Sequence, residues 1–379
     1  MKTHRHIQFL IFTLIGLSLC VQVWADKPIN LEYKLETGNQ IREDVTLTCE
    51  FAPTETSETL AFSISYLTTT FVSESTEDGA ATLYTIYQPE LIETHSKDRS
   101  VKEQLQREVR GFFLQKYQIN SNGHLIEPPR FEDLADNMVA LRTPFDFVGT
   151  LPTEPIKIGD RWTQTIDHPQ IGQLTVNLKL TAIETIDGRN CARLEGTVIG
   201  KMLGPDRAEM QIADGKYAAV FAMREGVMVN EEITVKLEAK LARQGEPSGE
   251  AEQAEGKEAK EQDSEEHATL SSNKGKESED EKSAELYPLQ ITYATKLVGK
   301  KTLTGDKLDE TVKELKLIET GKNALYDSNY KAAKSVFDQF LADYPNSPWR
   351  AGVEALLTKT IAHQKSPMLA AKLERDFGS

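Results

Sequence analysis

Histidine, cysteine and serine are the residues of this chain that could carry metal or nucleophilic chemistry. Five histidines follow the N-terminal segment, and no two of them have the i, i+4 spacing of a zinc-binding helix: His95, His124, His168, His267 and His363. No serine occupies a Gly-x-Ser-x-Gly turn, and neither later cysteine has the local histidine pattern of a thiol nucleophile. We therefore predict no catalytic residue, no metal ligand, no cofactor and no enzymatic activity.

Cys49 and Cys191 are the two cysteines beyond the N-terminal segment, and an even number suits an oxidising compartment. A disulfide between them would close a very long loop, for which loop entropy predicts about 4–5 kcal/mol of stabilisation. The alternative is two buried thiols in β-strands, because free cysteine is among the most buried residue types. The sequence leaves both arrangements open.

The N-terminus has the features of an export signal. Lys2 and Arg5 precede an apolar run over residues 7–21, which is short for a membrane-spanning helix. Val23-Trp24-Ala25 then places a β-branched residue three positions before Asp26 and a small residue one position before it, which is the pattern that signal peptidase recognises. We predict cleavage between Ala25 and Asp26.

Two other fates of this segment are weaker alternatives. Lipoprotein processing at Cys20 is disfavoured because Leu17-Ser18-Leu19 places a bulky leucine where that peptidase requires a small residue. An uncleaved anchor is disfavoured by the good cleavage site, and no later apolar run is long enough to cross a membrane. We expect a periplasmic or extracellular protein with no transmembrane segment after cleavage.

The strongly acidic charge of the chain is concentrated in one segment. The formal net charge is −15, and residues 244–285 hold 14 Asp and Glu against 5 Lys, a balance of −9. This segment has almost no apolar residues, so burial cannot offset the entropy of ordering it. We predict a disordered acidic insertion, and we predict no nucleic-acid binding because the remainder has no basic patch.

The regions on both sides of this insertion alternate between apolar and polar residues. Period-two alternation predicts strands over residues 41–51, 60–66, 174–180, 227–241 and 289–298. Strands with one apolar face indicate antiparallel sheets. The last two are predicted to be hairpin neighbours whose turn the acidic insertion replaces, because closing a longer loop adds little cost.

Two parts of the β region have a similar order of features. Gly38 precedes two strands and an Asp78-Gly79 turn, while Gly159 precedes two strands and an Asp187-Gly188 turn. A duplicated β unit would explain the similarity, although Asp-Gly turns are common in any antiparallel sheet.

Helical spacing over residues 101–116 and 131–141 predicts two helices that could cover the open side of a curved sheet. The predicted fold class is α+β. It comprises an antiparallel β domain, either a sandwich or a curved half-barrel, followed by a small helical domain.

The segment from Leu151 to Trp162 contains Leu-Pro, then Pro-Ile-Lys-Ile-Gly-Asp-Arg-Trp. It resembles a segment of uncharacterised exported bacterial β-rich proteins, and the resemblance extends over about residues 30–243. It implies an antiparallel fold and an exported location, and it implies no activity. Its motif residues look structural, because Pro155 limits the chain before a strand, Gly159-Asp160 makes a tight turn and Trp162 enters the core.

The last 75 residues have the spacing of a helical hairpin with small and aromatic residues at its contacts. Leu317, Gly321 and Ala324 fall on one helix, and Tyr330, Ala333, Phe337 and Phe340 fall on the next, before Pro345. This pattern resembles a tetratricopeptide (TPR) repeat, with one full repeat and a partial second. TPR hairpins bind polypeptides, and about three repeats are usually needed for independent stability. The tail must therefore dock on the β domain or self-associate.

The sequence predicts four regions: a signal peptide over 1–25, a β domain over 26–243 plus 286–304, an acidic insertion over 244–285 and a TPR-like domain over 305–379. The predicted function is that of a non-enzymatic scaffold in the cell envelope, which binds a protein partner through the tail. The alternative is a carrier that holds a lipid or small hydrophobic ligand in the curved sheet.

Overall fold

The computed structural model describes residues 27–51, 60–94, 113–128, 151–168, 172–203, 209–240 and 286–365. The strands in these ranges are β1 (Asn39–Phe51), β2 (Leu60–Ser75), β3 (Ala81–Thr94), β4 (Phe113–Ile119), β5 (Leu125–Glu127), β6 (Arg161–His168), β7 (Gly172–Ile186), β8 (Arg189–Leu203), β9 (Glu209–Ala222), β10 (Val227–Lys240) and β11 (Leu286–Thr302). The helices are α1 (Asp306–Tyr326), α2 (Tyr330–Asp343) and α3 (Arg350–Lys365). The predicted α+β class is confirmed.

Several predicted features lie outside the described residues. They are the signal peptide with its Ala25-Asp26 cleavage site, Cys20, the acidic insertion, and the predicted helix over 131–141. The predicted helix over 101–116 is wrong at its end, because Phe113–Ile119 forms β4 and pairs with β3. In this stretch Leu114 and Lys116 face one side of the sheet, and the sheet's hydrogen-bond ladder satisfies the backbone that a helix would otherwise satisfy.

All eleven strands belong to one antiparallel sheet in the order β5-β4-β3-β2-β1-β11-β10-β9-β8-β7-β6. The two halves of the chain, β1–β5 and β6–β11, are each a meander, and β1 meets β11 in the middle. β10 and β11 are neighbours, as predicted for the strands that flank the acidic insertion. The first strands of the two similar parts occupy different places, since β1 lies at the centre of the sheet and β6 lies at its edge. The internal duplication therefore stays a prediction.

The sheet is strongly curved, because a short stretch of chain ties its two ends together. The side-chain amide of Asn122 in the β4–β5 turn donates to the carbonyl oxygen of Pro152 at 2.7 Å, and the Leu180 amide of β7 donates to the carbonyl oxygen of Asp160 at 3.1 Å. The eight Cα-to-Cα steps from Pro152 to Asp160 span at most about 29 Å. β4 and β7 are eight strand spacings apart, about 38 Å in a flat sheet. A tighter limit comes from two adjacent amides before β1, since Tyr33 donates to the Ser121 carbonyl at 2.7 Å and Lys34 donates to the Gly226 carbonyl at 3.0 Å. These bonds hold the β4–β5 and β9–β10 turns within about 10 Å of each other, whereas β4 and β10 would be about 24 Å apart in a flat sheet. The sheet is therefore rolled.

The inner face is the side on which this tie packs, and it carries the main hydrophobic core. Leu151 and Ile156 of the tie are buried there with inward residues of both halves, such as Val45 and Leu47 of β1 and Val176 of β7. The motif residues behave as predicted: Gly159 and Asp160 form a tight turn, and Trp162 packs against this core from β6. One core shared by both halves stabilises the rolled form of this open sheet.

The outer face of β2–β4 carries the helical tail. Its apolar residues form one cluster with the helices, and the two sides contribute Phe71, Tyr84, Ile86 and Leu114 from the sheet and Leu315, Ile318, Phe337, Phe340 and Val353 from α1–α3. Of the two arrangements that an incomplete repeat allows, the structure has the docked one. Truncation of the tail would therefore expose an apolar sheet face to water.

Polar contacts of α1 fix its position on the sheet. The Glu319 carboxylate accepts a hydrogen bond from the Tyr84 hydroxyl at 2.6 Å and from Lys116 Nζ at 3.1 Å. Lys322 is 4% exposed, and its Nζ donates to the carbonyl oxygen of Leu114. Burial and then the Glu319 carboxylate raise the pKa of Tyr84. Because buried polar groups are costly unless paired, these contacts allow one orientation of the helix on the sheet.

The two helices of the hairpin are in close contact at Gly321. A Cβ atom at this position would lie 2.4 Å from the ring of the buried Phe337. The other residues of the TPR-like pattern, Leu317, Ala324, Tyr330, Ala333 and Phe340, belong to the same cluster, and Pro345 lies exposed in the α2–α3 turn. The Asn329 side chain caps α2 by accepting from the Ala332 amide at 3.2 Å. The predicted packing residues thus meet in one hairpin, and membership of the TPR class stays a prediction.

The substitution Gly321→Ala is expected to lower the unfolding free energy by about 1–2 kcal/mol in urea denaturation. A methyl group forced against a buried ring costs about 1–3 kcal/mol, whereas the better helix propensity of alanine returns at most about 1 kcal/mol. Gly299→Ala is the control, because a Cβ there meets nothing within 4 Å. An unfolding free energy for Gly321→Ala at or above that of wild type would contradict this packing.

Cys49 and Cys191 are separate buried thiols in the structure. Cys49 lies in the core of the inner face, whereas Cys191 packs with Val220, Ala222 and Val227 in another cluster. Burial raises the pKa of Cys49 to about 12 and also raises the pKa of Cys191. This is the second of the two arrangements that the sequence left open.

Neither thiol should react with a maleimide at pH 8 in the native protein, because both are buried and the thiolate is the reactive form. In denaturant without reductant, both should be labelled, which mass spectrometry of tryptic peptides would count. A protein that takes up label in denaturant only after reduction has the bridge instead.

Candidate ligand-binding site

The histidines considered from the sequence are not brought together. His124 follows the β4–β5 turn, where burial lowers its pKa, and His363 of α3 stacks on Tyr330 with ring centroids 5.2 Å apart. His168 ends β6, and His95 and His267 lie outside the described residues. Within the described ranges, no three His, Cys, Asp or Glu side chains are grouped as metal ligands.

The inner face holds a cavity of about 130 Å³ near the centre of the sheet. Its walls come from β1–β4, β10 and β11, and from the extended segment 27–37, which we call the strap. Four tyrosines line the cavity: Tyr33 from the strap, Tyr87 from β3, Tyr117 from β4 and Tyr293 from β11. Tyr87 and Tyr293 are 1% and 3% exposed, whereas Tyr33 and Tyr117 are half-buried. The cavity therefore has a buried side and a side nearer to solvent.

Hydrogen bonds between lining residues hold the tyrosine rings in place. The hydroxyls of Thr70 and Thr85 lie 2.9 Å apart, and the hydroxyl of Thr85 lies 2.9 Å from that of Tyr117. The Tyr87 hydroxyl donates to Oε1 of the buried Gln115 at 2.6 Å. These hydroxyls are engaged with the protein, so the rings form a preorganised lining.

Two carboxylates lie on the cavity wall, on strands that flank β11. Glu231 of β10 is opposite Thr295 of β11, Thr295 is opposite Val45 of β1, and Glu43 is two residues along β1. Both are half-buried, and both act on Tyr33: burial, then Glu231, then Glu43 raise the pKa of that hydroxyl. Neither Lys, Arg nor His occurs among the described residues that line the cavity. Among the described residues, the lining therefore has acidic side chains and no basic one.

The strap crosses the inner face and supplies Tyr33 and part of the wall. Its Tyr33 amide donates to the Ser121 carbonyl at 2.7 Å, and its Lys34 amide donates to the Gly226 carbonyl at 3.0 Å. Lys300 Nζ of β11 donates to the carbonyl oxygens of Lys34 and Glu225 at 2.9 and 3.0 Å. Burial is the main cause of the lowered pKa of Lys300. The strap is thus bonded to both halves of the sheet.

Gly226 is where the strap comes closest to the β9–β10 turn. Its φ is 60°, and a Cβ would lie 2.5 Å from the Lys34 backbone nitrogen. Gly226→Ala is expected to lower the unfolding free energy by about 1–3 kcal/mol more than Gly188→Ala. Gly188 also has a positive φ but open space around its Cβ, so this control isolates the contact with the strap.

Both unfolding free energies can be measured by urea denaturation, and hydrogen exchange should show faster exchange at the Lys34 amide in Gly226→Ala only. Equal effects of the two substitutions would mean that the strap is not held against this turn.

The carboxylates of the site were missed in the sequence, although the strands carried a signal for them. The apolar positions of β1 run Ile41, Val45, Leu47, with Glu43 in the same alternation, and those of β10 run Val229, Ile233, with Glu231 between them. A charged residue at an inward position is costly to bury, so each interruption marks a point where the inner face is not filled by apolar core. What the sequence could not give is that the two interruptions face the same cavity.

No family model matches the chain, and no curated protein matches it in sequence. The solved structures that resemble it include the following three. A structure concerned with lipid–protein interactions in lipovitellin is 7% identical, covers 90% of this chain and has a TM-score of 0.39. An exported Bacteroides fragilis protein with a YmcC-like fold is 10% identical. Its match covers 54% of this chain and 92% of that protein, with a TM-score of 0.25.

The third is a DUF1329 family protein from Desulfovibrio piger, which is 8% identical. Its match covers 71% of this chain and 87% of that protein, with a TM-score of 0.13. This chain spans 38% of the length of the lipovitellin chain. All three TM-scores lie below 0.5, so these likenesses are no basis for function. Across the described ranges, no helix has both the length and the apolar composition to cross a membrane.

Proposed function

We propose that this chain is a non-catalytic binding protein of an extracytoplasmic compartment, which holds a small ligand in the cavity of its inner face. The observation that carries the proposal is the cavity itself: a preorganised space of about 130 Å³ with aromatic walls and a few polar groups inside an otherwise filled core. Concave, mostly preformed sites of this kind are where proteins bind small molecules. The export signal expected from the sequence supports the location.

The volume favours a small ligand over the acyl chain of a lipid. An engineered apolar cavity of about 150 Å³ accommodates benzene, and drug-sized ligands occupy sites of about 300–1,000 Å³. Beyond the cavity the inner face is filled by the shared core of both halves. A carrier function is thus supported in the form of a small ligand or a headgroup.

Binding without catalysis fits the chemistry of the lining. The described lining residues include no His, Cys, Ser or Lys, which are the side chains that most often serve as an activated nucleophile or its base. The Tyr33 hydroxyl is protonated at neutral pH in any case, and burial raises its pKa further, which makes it a still poorer source of a nucleophilic phenolate. The hydroxyls of Thr85, Tyr87 and Tyr117 hydrogen-bond to other protein groups, which suits recognition better than proton transfer.

A second candidate function is docking of a protein partner by the helical tail, and the firm attachment of α1 to the sheet favours it. A fixed platform loses little entropy when a partner binds. Two aromatic residues of the hairpin are engaged within the tail, since Tyr330 stacks on His363 and Lys322 Nζ lies 5.6 Å from the centre of the Tyr326 ring. The tail therefore has less geometric support than the cavity.

Native mass spectrometry of the protein, purified gently from the cells that make it, tests the proposal. We expect a small bound mass in wild type that is missing from Thr70→Phe, because a phenyl group at this lining position would fill the cavity. Thr165→Phe is the matched control on the exposed edge strand β6 and should keep the bound mass. Urea unfolding of both variants shows that they are folded.

A bare wild-type mass, or a bound mass that Thr70→Phe keeps, would contradict the cavity as the binding site. A co-purifying protein without a small-molecule mass would instead support the second candidate.

A further inference from the structure

We propose that the edge strand β6 joins two copies of this chain into a dimer, in which the two β6 strands pair antiparallel across a two-fold axis. This contact uses none of the described residues that line the cavity. Three features of β6 carry it: its place in the sheet, the direction of its backbone groups and the order of its exposed side chains.

The two edges of the sheet differ in length. β5 at one edge has three residues, whereas β6 at the other edge has eight. Within the described part of the chain, β6 pairs with β7 on one side and with no strand on the other. Natural proteins usually protect a long edge with lysine, proline or a bulge. β6 contains neither lysine nor proline, and its pairing with β7 has no bulge, so this edge is suited to strand addition.

The hydrogen bonds just before β6 show which of its residues direct their backbone groups to the free side. The Gly159 amide donates to the Leu180 carbonyl oxygen at 2.8 Å, and the Leu180 amide donates to the Asp160 carbonyl oxygen at 3.1 Å. Asp160 is thus turned towards β7, and successive residues of a strand bond alternately to its two neighbours. The even-numbered residues of β6 therefore bond to β7. The amides and carbonyls that point to the free side belong to Arg161, Thr163, Thr165 and Asp167.

The same four odd-numbered residues form the exposed face of β6, whereas the even-numbered Trp162, Gln164 and Ile166 are half-buried. Trp162 and Ile166 pack against the core of the inner face, which fixes the strand's orientation. A second strand added at this edge would therefore meet the free backbone groups and the exposed side chains of the same residues.

The order of the exposed residues is complementary to its own reverse. When a second copy runs antiparallel with Gln164 opposite Gln164, Arg161 lies opposite Asp167 of the second copy, and Thr163 lies opposite Thr165 of the second copy. These are also the pairs that exchange backbone hydrogen bonds, because their backbone groups point to the free side. Opposite charges directly across a ladder are stabilising, and like charges are destabilising. A centre at Thr163 or Thr165 would leave neither charge opposite the other.

This self-complementarity favours a second copy over a strand of another protein. A second copy always supplies the matching charges and the two threonines, and the two-fold axis repeats each contact. β6 contributes eight residues from each protomer, compared with about 20–30 a side in a standard interface. We therefore expect a weak, reversible dimer.

Sedimentation velocity of the protein purified from the cells that make it, from about 1 to about 100 μM, tests the contact. We expect wild type to shift from monomer to dimer over this range. Arg161→Asp and Asp167→Arg should each weaken self-association at least about tenfold, because each places like charges opposite each other at both symmetric positions. Lys236→Asp, a reversal of charge at an exposed position of β10, is the control and should leave the dimer unchanged.

An equimolar mixture of the two single variants tests the register itself. In the antiparallel pairing centred on Gln164, the two variants are complementary to each other, so they should form a heterodimer that each fails to form alone. Native mass spectrometry separates it from the homodimers by mass, and urea unfolding shows that both variants are folded. Monomeric wild type at every concentration, a dimer that the charge reversals leave intact, or a mixture that stays monomeric would overturn the proposed contact.

Discussion

The pairing of β1 with β11 is the contact on which the rest of the structure depends. Each half of the chain is a meander of sequential strands, and this ladder, from Asn39 opposite Thr302 to Phe51 opposite Leu289, joins the halves into one sheet. It also sets the cavity, because it places Glu43 and Glu231 on opposite sides of one strand. A slip of one residue would turn the inward positions of β1 outwards, removing Glu43 and three core residues together. The register that fills the core is therefore the register that forms the site.

Local patterns predicted much of this fold from the sequence, because alternation reports which face of a strand is buried. Alternation predicted the strands around Leu47, Val176 and Val235, and it predicted that β10 and β11 are adjacent. It failed at β4, where short-range spacing suggested a helix and pairing with β3 decided otherwise. The site was not predictable to the same degree. Glu43 and Glu231 each interrupt an apolar alternation. Their placement on one cavity wall depends on a register between residues almost 200 positions apart, and no local pattern encodes it.

The helical tail is energetically part of the β domain, although the sequence suggests a separate module. Phe337 and Phe340 of the hairpin share one apolar cluster with Phe71 and Tyr84 of the sheet. Lys322 is buried in that contact with its ammonium group on a sheet carbonyl. A lone repeat hairpin buries too little surface for independent stability, and the outer face of β2–β4 supplies what the missing repeats would. The prediction that a short array must dock or self-associate followed from this deficit, and the sheet resolves it.

Tail and cavity are held by the same two strands. In β3 the outward Tyr84 bonds to Glu319 of α1, and the next residue, Thr85, faces the cavity. In β4 the outward Lys116 bonds to the same Glu319, and its neighbour Tyr117 faces the cavity. Successive strand residues share a backbone while pointing to opposite faces. Any displacement of Thr85 or Tyr117 by a ligand is therefore carried by the backbone that positions α1. If the cavity binds a ligand and the tail binds a partner, as proposed, the two events would be coupled through these strands, and such coupling acts equally in both directions.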